Sequence, residues 1–164
     1  MEYGTPIHLG DHLKPGRLIV RPPGQNGTGF LYIQTKIKDE YGEFLAFHFH
    51  SFRQMAFIDP HSLTGLAWDV DDVMMLVPDL ASAEVSETEM MGGQMFLTSD
   101  GDIGMYARKG GNSTTGTAFN ITNGEHLRVP SDCIAFKRWR LVSKGENIDQ
   151  RDYTSIILQP EGAS

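Results

Sequence analysis

The sequence predicts an all-β fold: a single antiparallel β-sandwich or jelly-roll-like barrel spanning residues 1–164, with at most one short helix. Three observations carry this expectation. Short apolar or alternating runs rich in Phe, Ile, Val, Tyr and Thr recur along the chain, as half-buried pleated surfaces require. Clusters of Gly, Pro, Asn and Asp separate them, close to the spacing of about 8–12 residues found in sandwiches and barrels. Glycine makes up 18 of 164 residues, against a usual share of roughly 7%. A β-trefoil of this length satisfies the same pattern. The length itself matches one domain of about 100–200 residues.

The elements follow in order. The runs 17–21 and 29–37 flank the turn-forming segment Pro22-Pro23-Gly24-Gln25-Asn26-Gly27. The run 43–50 follows Asp39-Glu40-Tyr41-Gly42, and 54–58 and 73–77 come next. The runs 94–98 and 103–108 bracket Ser99-Asp100-Gly101-Asp102, and 117–121 and 126–129 bracket Asn123-Gly124. Asp-Gly and Asn-Gly supply the positive φ that tight hairpins need. The runs 134–142 and 153–158 lie either side of Lys144-Gly145-Glu146-Asn147.

One segment invites a helix. Asp79 is a candidate N-cap for Leu80-Ala81-Ser82-Ala83-Glu84, with Gly92-Gly93 as the stop. A short helical turn after Asp59-Pro60 is a second candidate. In the run 134–142, Ile134 and Phe136 share one face while Trp139 and Leu141 have the opposite parity. Either a β-bulge slips the strand near Lys137-Arg138, or the strand is buried on both faces.

The net charge of −7 conceals an asymmetry. Residues 54–107 contain no Lys or Arg and ten acids, whereas the remainder balances at +3. This argues against a general nucleic-acid binder, which shows a basic excess. The N-terminus has no secretory h-region and no segment approaches 18 consecutive apolar residues, so the sequence predicts a cytoplasmic or virion location without a membrane anchor. A single cysteine, Cys133, excludes an intrachain disulfide framework and reads as a small buried hydrophobe.

The sharpest chemical motif is Gly42-x5-His48-x-His50. Positions i and i+2 of a strand share a face, so two imidazoles would project together. With His61, Asp59 or His126 as a third ligand they would suit a divalent transition metal. The segment resembles the first half of the cupin metal motif, a β-barrel family holding metal through three histidines and a carboxylate. The family's Glu position falls on Gln54 and its closing Gly on His61. Its second motif, aligned from Gly124, matches at Pro130 but places Asp132, Ala135 and Trp139 at the positions of a Gly, the last His and an Asn. The resemblance implies His48 and His50 as ligands of a metal-dependent enzyme. Without it, they are strand histidines on a half-polar face and no cofactor is expected.

Two acidic clusters, Asp69-Val70-Asp71-Asp72 and Asp100-Gly101-Asp102, offer oxygen ligands of the kind Ca²⁺ takes, or are solvated turns. The chain has no Gly-x-Ser-x-Gly elbow, and its Gly-rich stretch from Gly110 to Gly116 lacks the lysine of a phosphate loop.

The remaining constellation is a surface for association. Lys137, Arg138 and Arg140 surround Trp139, with Arg128 and Lys144 nearby in sequence, and Asp69, Asp71 and Asp72 cluster in the acidic middle. Arg and Trp are hot-spot residues, and opposite patches on one chain favour contact between copies. The alternative is a core Trp139 flanked by solvated cations. A carbohydrate-binding module would use an exposed Trp68 or Trp139. The sequence thus predicts a non-enzymatic assembly or binding module, such as a virion component. Its partners would be further copies or other particle subunits, with a glycan as the alternative ligand.

Overall fold

The computed structural model describes residues 4–8, 14–21, 30–39, 42–49, 54–58, 65–86, 92–109, 116–129 and 133–144. Within them the chain forms β1 (Thr5–His8), β2 (Leu18–Arg21), β3 (Phe30–Asp39), β4 (Gly42–Phe49), β5 (Gln54–Ile58), β6 (Leu66–Asp69) and β7 (Met74–Pro78). After a 3₁₀ turn at Leu80–Ser82 come β8 (Ala83–Ser86), β9 (Met95–Leu97), β10 (Ile103–Arg108), β11 (Gly116–Asn120), β12 (His126–Leu127), β13 (Cys133–Phe136) and β14 (Trp139–Ser143). The fold is all-β, and no α-helix occurs among the described residues.

Twelve strands join one sheet in the order β1-β6-β2-β3-β4-β5-β10-β9-β13-β8, with β11 and β12 branching from β10. β7 and β14 form a second sheet of two strands. Pairing is antiparallel except for one parallel bridge between β5 and β10, Ala56 with Arg108. β11 runs along one edge of β10 from Gly104 to Arg108. The other edge is therefore shared end to end by β9, opposite Ile103 to Met105, and by β5. β1 and β8 stand at opposite ends of the path, so the large sheet is not a closed barrel among the described residues.

The turn chemistry places its hairpins as expected. Gly101 (φ +87°) turns β9 into β10 and Gly124 (φ +74°) turns β11 into β12. Three four-residue strands, β1, β6 and β8, were not foreseen. The expected strand 73–77 is shifted by one residue to β7, and 126–129 shortens to His126–Leu127. The expected run 153–158, the turn after Asp59-Pro60 and the Gly110-to-Gly116 stretch up to Thr115 lie outside the described residues.

The helix from Asp79 is corrected to a single 3₁₀ turn. Asp79 caps it, its Oδ1 accepting the Ala81 N–H at 3.0 Å. Backbone pairing of Ala83–Ser86 with β13 then overrides the helical preference of Ala and Glu. The run 134–142 is corrected as well. It breaks at Lys137-Arg138, and its halves join different sheets, β13 the large one and β14 the small one. The parity change is a change of sheet.

The main core draws on both sheets: Leu18, Leu31, Ile33, Phe57, Met95, Met105 and Phe119 from the large one, Leu76, Trp139 and Leu141 from the small one. On the opposite face of β9, β10, β11 and β13 a second cluster packs Phe96, Tyr106, Ala118, Cys133 and Ala135. Apart from Leu97 and Ile134, which are exposed, this part of the sheet is buried on both sides, which explains its apolar runs. Two glycines make room for the aromatics. A Cβ on Gly104 would stand 2.7 Å from a Phe96 ring carbon, and one on Gly116 would stand 2.7 Å from the Tyr106 hydroxyl.

Candidate functional site

The acidic middle folds onto the basic ends. Arg17, just before β2, reaches Asp69 at the end of β6 through two hydrogen bonds, Nε to Oδ2 at 2.9 Å and Nη2 to Oδ1 at 2.8 Å. Its Nη1 lies 3.4 Å from Asp71 and 3.3 Å from Asp72. The Asp69 hydrogen bonds outweigh partial burial and hold the guanidinium well above its ordinary pKa, so it is charged at every accessible pH. Asp71 Oδ1 accepts the Leu18 N–H at 3.2 Å, and the Val70 N–H donates to Leu18 O at 2.9 Å. Asp69, Asp71 and Asp72 thus act together as a bracket that fastens β6 to the start of β2.

The basic run is a corner between the sheets. The segment from β7 to β8 and the segment from β13 to β14 pass side by side from one sheet to the other. They are stitched where they cross: the Asp79 N–H donates to Arg138 O at 2.9 Å, and the Arg138 N–H to Ser82 Oγ at 3.1 Å. Arg138 Nε lies 3.2 Å from Asp79 Oδ2, and Lys137 Nζ 3.2 Å from Glu84. Trp139 is fully buried, its indole N–H donating to Gly93 O at 2.7 Å. The core role is therefore the one the structure shows for Trp139, which corrects its place among exposed contact residues. A glycan reading is left with Trp68, half-buried against the main core. Arg128 is exposed, and Arg140 lies in β14 opposite Val77.

His48 lies in β4 opposite Met55. His50, His61 and Asp59 lie outside the described residues. His126 is exposed with Nε2 2.9 Å from Thr117 Oγ1. Among the described residues no three His, Cys, Asp or Glu side chains group as metal ligands. Asp100 and Asp102 are exposed on the β9–β10 turn, where the Asp102 N–H donates to Thr98 Oγ1 at 3.0 Å.

A cleft of about 300 Å³ opens between the sheets, walled by Leu18, Ile33, Met74, Ile103 and Ile121 with Asp71 and Lys144. Lys144 donates to the Asp71 carbonyl at 2.5 Å.

Sequence reasoning missed an apolar row across three strands. Val85 of β8 pairs with Ile134 of β13, which pairs with Leu97 of β9. Their exposures are 61%, 45% and 38%. Two residues along each strand, the row formed by Ala83, Phe136 and Met95 has the same parity, and Phe136 and Met95 are in the main core. The core-bearing face therefore continues outward as exposed apolar surface.

No family model, curated protein or solved structure matches this chain. No helix among the described residues is long and apolar enough to cross a membrane. Any functional reading rests on the geometry above.

Proposed function

We propose that this chain is a non-enzymatic assembly module, a structural subunit of an oligomeric particle such as a virion, built as an antiparallel sandwich of jelly-roll type. The supporting observation is the exposed row Val85–Ile134–Leu97, a rim of core-quality surface. Contiguous exposed apolar side chains mark interaction surfaces in soluble domains. Charge is the weaker candidate for the driving force. Asp79 and Glu84 already pair with Arg138 and Lys137 within the chain, and Asp69, Asp71 and Asp72 share Arg17. Association through the row is therefore expected to persist at 1 M salt, where the screening length falls to about 3 Å. Sedimentation velocity over a concentration series at low and high salt tests this. Oligomers in both conditions that dissociate on Ile134→Asp support the proposal. A monomer at every concentration rejects it.

A further inference from the structure

Among the described residues the apolar row ends on β8, the last strand of the sheet path. Among the described residues β8 pairs with β13 alone, so its outer edge has no described partner. Proteins guard such edges with Pro, Lys or a bulge, because an open row of N–H and C=O groups templates another strand. The opposite end of the sheet has such a guard: β1 carries Pro6, which has no N–H to offer. β8, Ala83-Glu84-Val85-Ser86, carries none of these, and its single charge is matched by Lys137 at 3.2 Å.

We infer that β8 is the edge through which two copies of this chain join, strand to strand and antiparallel, about a two-fold axis that passes midway between the two Val85 residues. The inference rests on the assembly reading above. Symmetry selects the residue. Directly opposed residues of an antiparallel pair share a face, and a two-fold axis normal to the sheet keeps each face on its own side. A residue can therefore face only a position of its own parity, so one residue faces its own copy across the axis, and near the middle of this four-residue strand that residue is Glu84 or Val85. Centring on Glu84 would set two carboxylates opposite each other, which is destabilising. Centring on Val85 sets Glu84 against the register position of Ser86 in the second copy and brings the two Val85 side chains together. The row then becomes Leu97–Ile134–Val85 followed by the same three residues in reverse, six apolar side chains across six strands. The contact is isologous and closes on itself. A larger particle then needs a further surface for its other contacts.

The test uses the full chain. Opposed Cα atoms in an antiparallel pair lie about 4.5–5.5 Å apart, within the range of about 4.4–6.8 Å that a disulfide spans. Val85→Cys, treated with oxidised glutathione, is expected to run as a dimer on a non-reducing gel. Glu84→Cys in the same treatment is expected to remain monomeric on the gel, as is the natural chain with its buried Cys133. Val85→Lys, which would bring two ammonium groups together, is expected to lower the dimer fraction in solution at least tenfold. Cross-linking of Glu84→Cys with none of Val85→Cys overturns the register. If neither cross-links while Ile134→Asp still dissociates the oligomer, edge pairing is wrong and the assembly reading stands. A natural chain that is monomeric before oxidation removes both.

Discussion

Trp139 decides between a residue that holds the fold together and one that meets a partner, and Trp139→Phe separates the two. The indole is fully buried and donates to the carbonyl of Gly93, itself a buried residue. The substitution leaves that acceptor without its donor, a cost of about 1–3 kcal/mol. It also removes about 40 Å³ of side chain, which at about 24 cal/mol per Å³ of residual cavity adds about 1 kcal/mol. The sum, about 2–4 kcal/mol, is a large part of a stability of about 5–15 kcal/mol. Urea unfolding followed by far-ultraviolet circular dichroism should show the midpoint falling with an unchanged slope. A surface tryptophan would change stability by less than about 0.5 kcal/mol. A loss that small for Trp139→Phe would refute its place in the core, and with it the packing of β14 against the large sheet.

Two further substitutions test the bracket and the glycine fit. Arg17→Ala removes a two-pronged charged contact and leaves three carboxylates close together, so it should lower stability by about 2 kcal/mol in urea unfolding. Arg17→Lys should recover less than half, because an ammonium cannot reproduce the fork. Gly104→Ala drives a methyl group into the Phe96 ring and should cost about 1–3 kcal/mol. Combined with Phe96→Ala its additional cost should nearly vanish, a coupling measurable in a double-mutant cycle; additive losses would show that the two do not meet.

Hairpins written in local chemistry were legible in the sequence. Asp100-Gly101 and Asn123-Gly124 encode their turns in the residues that make them, and the structure puts both glycines at positive φ. The short strands were not legible, because β1, β6 and β8 borrow their conformation from partners distant in the chain. In Ala83–Ser86 helix-favouring residues follow a true N-cap, and only the pairing with β13 decides the outcome. The break at Lys137-Arg138 was visible as a parity change, yet a bulge and a change of sheet look alike in one sequence. Charge was the least readable feature. The acidic middle and basic ends are plain in the sequence, but their pairing joins residues more than fifty positions apart.

The two strands of the small sheet are far apart in the chain. β7 ends at Pro78 and its partner β14 begins at Trp139, so the whole of β8 to β13 is threaded between them. Closing a loop of roughly sixty residues carries an entropy cost that short hairpins avoid, and non-local pairings slow folding. The β9–β10 and β11–β12 hairpins are therefore expected to form early and the β7–β14 ribbon to dock last. In kinetic terms, truncating Leu141 should speed unfolding and barely change the refolding rate, whereas truncating Phe119 in the hairpin region should slow refolding. The layer that completes the core is thus the one added when the rest of the molecule is already in place.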